Sequence, residues 1–257
     1  MDISIIIANY KSKDKLITCL DSISKSDLSD LSYEVVVVEN NSGDDLSDLS
    51  YPNTKVLISP DNLGMGGGNN LGIKNSTGEF ILISNPDIIF ESDTILKLYQ
   101  YFKNDKNIGL IGPKLINPDG SLQDSCVRFP KFYIPLLRRT AIGSFFPATL
   151  DNYLMRHTDH NQIQKVDWLL GACFLVRRSE IEDKLFDERY FMYFEDVDLC
   201  RQINSRGQSV VYYPEVKVTH NHARQSAGLP WYRALFKDKI AREHIKSAFR
   251  YFKKWKK

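Results

Sequence analysis

Residues 34–43 read EVVVVENNSG, and the same pattern of a short apolar, β-branched run ending in polar residues recurs at 3–10 (ISIIIANY) and 80–87 (FILISNPD). Runs of this length that are apolar on both faces predict fully buried strands, the pattern of a parallel sheet covered by helices on both sides. Between the first two runs, residues 14–24 place Leu16, Ile17, Leu20 and Ile23 at helical spacing, with Ser12 or Asp14 as N-cap. The spacing further predicts a short strand over 55–58 and a helix over 69–75, closed by the turn Ser76-Thr77-Gly78. Beyond an irregular stretch rich in Pro, Gly, Asn and Asp at 116–135, residues 135–159 predict one or two short helices and a mobile loop. A strand over 172–177, a helix over 197–205 ended by Gly207, and two final strands over 208–213 and 216–219 complete the pattern. The fold class is therefore α/β. In such sheets ligands bind outside the carboxyl ends of the strands, which singles out Ala8-Asn9-Tyr10, Glu39-Asn40-Asn41 and Asn85-Pro86-Asp87.

The chain has 257 residues, 42% hydrophobic and 26% charged, an ordinary globular composition and enough for one large domain or two small ones. No run approaches the ~18 apolar residues of a membrane span, and the first residues show no basic stretch followed by an apolar core, so no signal peptide is expected. Cys19, Cys126, Cys173 and Cys200 form no C-x-x-C pair and read as reduced thiols of a cytosolic protein. The net charge of +2 conceals an asymmetry: residues 231–257 carry ten Lys/Arg against two Asp/Glu, and the remainder of the chain is acidic. An acidic body argues against nucleic acid as a partner. The basic end predicts one helix with Trp231, Leu235, Ala241, Ile245, Ala248, Phe252 and Trp255 on one face, beside a cationic stripe of Lys239, Arg242, Lys246, Arg250, Lys253 and Lys257. Such a helix either lies in a membrane interface or packs on the domain with its basic side in water.

Four further groups have the residue types for chemistry. Glycines 64, 66, 67 and 68 fit neither G-x-G-x-x-G nor a Walker A loop, and mark either a close approach to a ligand or a tight turn into a helix. Asp87, behind a buried strand, fits a divalent cation or an Asx turn. Residues 186–200, FDERYFMYFEDVDLC, set five carboxylates among aromatics. Glu195 and Asp196 there fit either helix capping or a general base with a raised pKa in a sugar-binding cleft. His220 and His222 share one strand face and fit a metal site or ordinary surface imidazoles.

In order, ISIIIANYKS, VVVVENNSGD, NLGMGGGNNLGI, ILISNPD, VDWLLGACFLVRRS, FDERYFMYFEDVDLC and the histidine closing YYPEVKVTH resemble glycosyltransferase family 2, most closely its rhamnosyltransferase-like bacterial branch, over residues 1 to about 222. The resemblance implies a GT-A fold, with a mixed, mostly parallel sheet flanked by helices. It divides residues 1–222 into a nucleotide-binding part (about 1–115) and an acceptor-binding, catalytic part (about 116–222), leaving 223–257 as a basic amphipathic helical tail. It implies inverting transfer of a single sugar, best matched by L-rhamnose, from a dTDP- or UDP-sugar to a lipid-linked saccharide in cell-surface polysaccharide synthesis. The enzyme would be cytoplasmic and held at the inner face of the membrane by the C-terminal helix. Ala8, Asn9 and Tyr10 would line the nucleoside pocket. Glu39, where the family usually has Asp, would bond the pyrimidine or ribose, and Asn62, Gly64 and Asn70 would lie near the nucleotide. Asp87 would hold Mg2+ or Mn2+, with His220 as a further ligand, although the first acid of the family's D-x-D is Asn85 here. Asp196 would be the general base and Glu195 would orient sugar or acceptor, while Trp168, Gly171 and Ala172 would shape the donor-sugar pocket. The family often carries Arg four residues after the acid matching Asp198; here that position is Gln202, with Arg201 before it. The Q-x-x-R-W motif of processive members is missing. The alternatives are a nucleotidyltransferase, which should have a glycine-rich loop near residues 8–15 that this chain lacks, and a catalytically silent sugar-binding scaffold.

Overall fold

The computed structural model describes residues 1–181, 184–221 and 239–256. In chain order the elements are β1 (Ile3–Asn9), α1 (Lys13–Ser24), β2 (Tyr33–Glu39), β3 (Thr54–Ile58), α2 (Gly64–Lys74), β4 (Phe80–Ser84), β5 (Ile88–Phe90), α3 (Thr94–Lys103), β6 (Ile108–Ile116), β7 (Cys126–Val127), α4 (Ile134–Arg139), α5 (Pro147–Tyr153), β8 (Gln164–Val166), β9 (Trp168–Leu169), β10 (Cys173–Arg177), α6 (Glu195–Ser205), β11 (Ser209–His220) and α7 (Lys239–Lys254). The main sheet runs β3-β2-β1-β4-β10-β6-β11-β5, with β8 also pairing β11. Strands β3, β2, β1 and β4 are parallel, β10 is antiparallel to both neighbours, and β6 and β11 are parallel to each other. The expected mixed, mostly parallel α/β sheet is present.

Alternation along the strands divides the core in two. Ile3, Ile5 and Ile7 face a layer with Leu16 and Leu20 of α1 and Leu98 and Phe102 of α3. Ile6, Ile81 and Ile83 face the other side, with Val197 and Ile203 of α6 and Tyr251 of α7. Ser4, between Ile3 and Ile5, instead donates its hydroxyl to Glu34 of β2 at 2.9 Å. Glu34 also accepts from Thr77 N (2.6 Å) and Lys55 Nζ (2.8 Å). Burial raises its pKa, but Lys55, the Thr77 amide and the two hydroxyls outweigh that and bring it from 4.5 to about 2. A carboxylate depressed on folding adds stability above its unfolded pKa and loses it as pH falls through its folded one. Glu34→Gln is therefore expected to cost about 1–3 kcal/mol at pH 7. Denaturant melts of the two proteins should converge as the pH falls from 4.5 towards about 2.

Several boundaries differ from the sequence expectation. Helix α2 starts at Gly64, not near 69, because packing overrides the poor helical propensity of its glycines. A Cβ at Gly72 would lie 2.5 Å from Ile6 Cγ2, so only glycine lets α2 sit this close to the sheet. The two final strands are one, β11, with a register irregularity between Tyr213 and Lys217, where Pro214 has no amide to donate. Helix α3 and strand β6, which the sequence reading passed over, bury Ile95, Leu98, Phe102, Leu110 and Ile111.

The C-terminal expectation needs a larger correction. The aromatic stripe of α7 does not face outward. Tyr251 is fully buried, Ala241 nearly so, and Ala248, Phe252 and Trp255 pack against the core, while Ile245 of the expected face is 37% exposed. Arg242, Lys246, Arg250 and Lys253 form the outer side. Of the two readings of this helix, packing on the domain is the one that holds for the described residues; Trp231 and Leu235 lie outside them. No described helix is long and apolar enough to cross a membrane.

Candidate active site

The carboxyl ends of β1 and β2 lie side by side, with Asn9 in register with Glu39, and β4 ends beside β1. Asn9 donates to Asp44 Oδ2 (2.8 Å), which also accepts from Ser12 N at the start of α1 (3.0 Å). The Asn9 side-chain oxygen is buried without a hydrogen-bond partner among the described residues. Ala8 is buried at the end of the strand, and Tyr10 is 43% exposed beyond it. Glu39 Oε1 accepts from both the amide and the hydroxyl of Ser42, so one of its oxygens shapes its own loop. Asn40 accepts from Leu63 N (3.0 Å) and donates to Gly64 O (2.9 Å), and Asn62 accepts from Gly64 N (3.0 Å). Gly64 is left-handed (φ +73°), and a Cβ there would lie 2.0 Å from Phe191 O. No other residue fits where the glycine segment meets residues 186–194.

Asp87 and His220 come together from β-strand ends far apart in sequence. His220 Nε2 lies 3.2 Å from Asp87 Oδ1, and Lys15 Nζ lies 3.5 Å from Oδ2 and 3.0 Å from Asn221 O. Burial raises the Asp87 pKa, but His220 and Lys15 outweigh it and hold the carboxyl below its usual range. Gln123 Oε1 lies 2.7 Å from His220 Nδ1 while its Nε2 donates to Asn117 (2.8 Å). A carbonyl only accepts, so Nδ1 carries a proton, and it is Nε2 that faces the carboxylate. A histidine with one nitrogen anchored and the other beside a carboxylate has the arrangement of a metal ligand with its outer partner. Among the described residues no third His, Cys, Asp or Glu stands with them. Two protein donors suit Mg2+ or Mn2+, which complete their shells with water and substrate phosphate. His222 lies outside the described residues.

Asp196 sits in the first turn of α6, entered through Tyr193 and Phe194, both left-handed (φ 66° and 69°). Such backbone costs about 1 kcal/mol or more per non-glycine residue and persists only where its surroundings impose it. Gly171 N donates to Asp196 Oδ2 (2.9 Å) and Val197 N to Oδ1 (2.8 Å). A Cβ at Gly171 would lie 2.9 Å from Asp196 Cβ. Burial raises the Asp196 pKa even against these two amides, and it raises Glu195 further, with the Asp196 charge adding to the effect. Glu195 Oε2 is buried with no hydrogen-bond partner among the described residues. Asn85 N donates to Ala172 O (2.8 Å), one residue along from Gly171. One backbone junction therefore carries the Asp87 side and the Asp196 side of the site.

Two expected pocket residues have their polar groups bonded within the protein. Trp168 is buried, with its indole N–H on Arg128 O (2.8 Å). Asn70 exchanges two hydrogen bonds with the Phe186 backbone (2.8 and 3.0 Å) and ties α2 to the segment that leads into α6. Arg201, the cation before Gln202, is boxed by Phe129, Tyr251 and Trp255 and donates to the Tyr251 hydroxyl. Lys15, Asp44 and Gln123 were not foreseen. Lys15 had a faint signal, a cation in the first turn after β1; Gln123, in an irregular stretch, had none. A cavity of about 430 Å3 between Gly109, Phe186, Gln202 and Lys254 holds none of the foreseen site residues.

The family model described as "Glycosyltransferase like family 2" matches residues 1–234. The chain is 31% identical over 216 residues to an N-acetylglucosaminyl-diphospho-decaprenol L-rhamnosyltransferase of Mycobacterium tuberculosis, covering 76% of this chain and 69% of that one. It is 28% identical over 260 residues to the rhamnosyltransferase WbbL of Escherichia coli K12, covering 96% and 91%. Among solved structures it is similar to GalNAc-T7, determined with UDP, GalNAc and Mn2+, with a TM-score of 0.66 at 15% identity. That match covers 88% of this chain but only 44% of the other.

Proposed function

The chain belongs to glycosyltransferase family 2, and from that premise we propose that it moves one sugar, with inversion, from a nucleotide-diphospho-sugar to a lipid-linked saccharide. L-Rhamnose from dTDP-rhamnose is the first choice of donor, supported by the two rhamnosyltransferase relatives. The observation that carries the reading is Asp196, a buried carboxylate fixed by two backbone amides and joined through residues 171–172 to the Asp87 loop.

In this reading Asp196 takes the proton from the acceptor hydroxyl as that oxygen attacks the anomeric carbon and the bond to the diphosphate breaks. Its raised pKa makes it a stronger base than an exposed carboxylate, and the Gly171 amide holds it in place. Glu195, beside it, orients sugar or acceptor. Asn9, Tyr10 and Glu39 receive the nucleoside at the strand ends, with Ala8, Asn62 and Gly64 shaping the wall. Gly171 and Ala172 set the boundary towards the sugar. Asp87 and His220 would hold Mg2+ or Mn2+, which when bound neutralises the charge developing on the leaving diphosphate. The proposed place of work is the cytoplasmic side of a membrane, where a lipid-linked acceptor presents its saccharide.

Calorimetric titration with dTDP, UDP and GDP, each with and without Mn2+, tests the donor site. Binding of dTDP or UDP is expected to depend on Mn2+ and to weaken at least about tenfold in Asp87→Ala, the loss of one charged ligand. Absence of binding by all three at millimolar concentration would overturn the donor-site assignment.

A further inference from the structure

Residues 125–150 contain Arg128, Lys131, Arg138 and Arg139 and not one Asp or Glu, in a chain whose body is otherwise acidic. Helix α4, a single 3-10 turn at Ala141–Phe145 and α5 fold on one another here. Their inner side is anchored: Ile134, Leu137, Tyr153 and Leu154 are buried, and a Cβ at Gly143 would lie 2.1 Å from Leu137 O. Their outer side is apolar and bare. Phe132 is 78% exposed, Leu136 52%, Ile142 48%, Phe145 79% and Phe146 48%. Single exposed apolar residues are ordinary, but five large ones within fifteen residues form a patch that marks an interaction surface. Lys131 and Arg138 are exposed among them.

The geometry points to this face as the surface that enters an anionic lipid bilayer. Phe132 and Phe145 stand out with little protein around them, so they offer knobs and no groove. Knobs of this kind suit a fluid that closes around them better than a partner protein that must match their shape. Aromatic and aliphatic side chains among lysine and arginine, with the flanking Asp124 and Asp151 both paired to Arg156, are also the composition that the boundary of an anionic leaflet selects. The face connects to the catalytic base through the backbone. Arg128 N donates to Tyr153 O (2.9 Å), Trp168 Nε1 donates to Arg128 O, and the turn after Trp168 brings Gly171 N to Asp196. A bilayer contact here would hold Asp196 at a fixed height above the lipid surface. Its use for the acceptor rests on the lipid-linked acceptor proposed above, whereas the contact itself does not. The outer side of α7 exposes Phe249 and, less fully, Ile245, but otherwise chiefly charge.

The test is co-sedimentation of the full chain with vesicles of phosphatidylcholine, alone and with phosphatidylglycerol. The chain is expected to partition onto the anionic vesicles, and Phe132→Ser/Phe145→Ser/Phe146→Ser to partition at least about 30-fold less, as the loss of three apolar side chains at an interface requires. Lys131→Glu/Arg138→Glu is expected to remove the preference for the anionic vesicles. Phe249→Ser should change partitioning by less than about twofold. Nucleotide binding and thermal melting of the triple variant show that it is folded. Equal partitioning of the triple variant and the unaltered chain would overturn the proposal. So would a chain that ignores vesicles but forms dimers that the triple variant dissociates, since the face would then be a contact between copies. Vesicle binding without transfer to any lipid-linked saccharide would leave this surface standing and remove the acceptor reading instead.

Discussion

Asp196→Asn is expected to lower kcat by about 10^2–10^4-fold, the usual contribution of a positioned general base, while leaving nucleotide binding in place. The amide keeps the size of the side chain and one acceptor for the two amides, from Gly171 and Val197, that hold the carboxylate. The loss of the other bond is set against removal of a buried charge, so unfolding free energy should change by no more than about 1 kcal/mol. The signs of the pH effects follow from the same burial. A base must be ionised to work, and burial raises the Asp196 pKa. The acid limb of kcat should therefore lie above the ordinary carboxylate range and be absent from the residual rate of the Asn variant. Stability runs the other way: a carboxylate more basic when folded than when unfolded makes the fold less stable as pH rises through its folded pKa. A variant that kept more than a tenth of kcat would remove Asp196 from the role of base. A correctly folded variant with no transfer by the parent either would favour the silent-scaffold alternative.

How far the site could be read in the sequence depended on whether a residue acts near its own motif. Asn9, Glu39 and Asp87 follow buried strands, and the rule that ligands bind at carboxyl strand ends found them without coordinates. Asp196 was found because carboxylates among aromatics are conspicuous. The partners that give these residues their properties were hidden, because they arrive from a distance. Gln123 lies 97 positions from His220, Lys15 lies 72 from Asp87, and Asp44 lies 35 from Asn9. Helix α2 was found late in its course because glycine is a poor helix former, and only close packing against Ile6 and Phe191 explains why glycine is there. The amphipathic stripe of α7 was read correctly as a pattern and wrongly as a surface. Periodicity reports that a face is buried but does not distinguish lipid from protein as the medium that buries it. The exposed patch at 132–146 has no such periodicity, since it comes from short helical pieces folded on one another.

Lys254→Met is expected to destabilise the fold by about 3 kcal/mol, and Gln202→Arg to recover most of that loss. Asp198 is fully buried in α6, two residues after the proposed base. Its Oδ2 accepts from Lys254 Nζ (2.7 Å) and Gln202 Nε2 (2.8 Å), and its Oδ1 from Trp255 Nε1 (2.7 Å) and the Tyr190 hydroxyl (3.3 Å). Lys254 is the only cation among these four donors. Removing it leaves a buried carboxylate with neutral partners alone, a change that costs about 3–5 kcal/mol in buried pairs, and the lower end applies because the Lys254 side chain is 27% exposed. In a domain of this size that corresponds to roughly 6–12 °C in Tm. Where the family often has Arg, this chain has Gln202, and the position is one helical turn from Asp198 on the same face. The missing charge has thus been supplied from α7, and a guanidinium at 202 should make Lys254 dispensable. The same docking bears on catalysis. Ser247 donates to Met192 O (2.9 Å), and the rings of His244 and Tyr251 lie 4.7 and 5.3 Å from Tyr193 and Phe194 respectively, the left-handed pair that leads into Glu195 and Asp196. If α7 holds that backbone in its strained conformation, Lys254→Met should lower kcat more than it weakens nucleotide binding, and Gln202→Arg should restore stability and rate together in the double variant. A Lys254→Met protein as stable as its parent, or a double variant no better than the single one, would show that Asp198 is satisfied by its neutral donors and that α7 merely covers the helix it rests on.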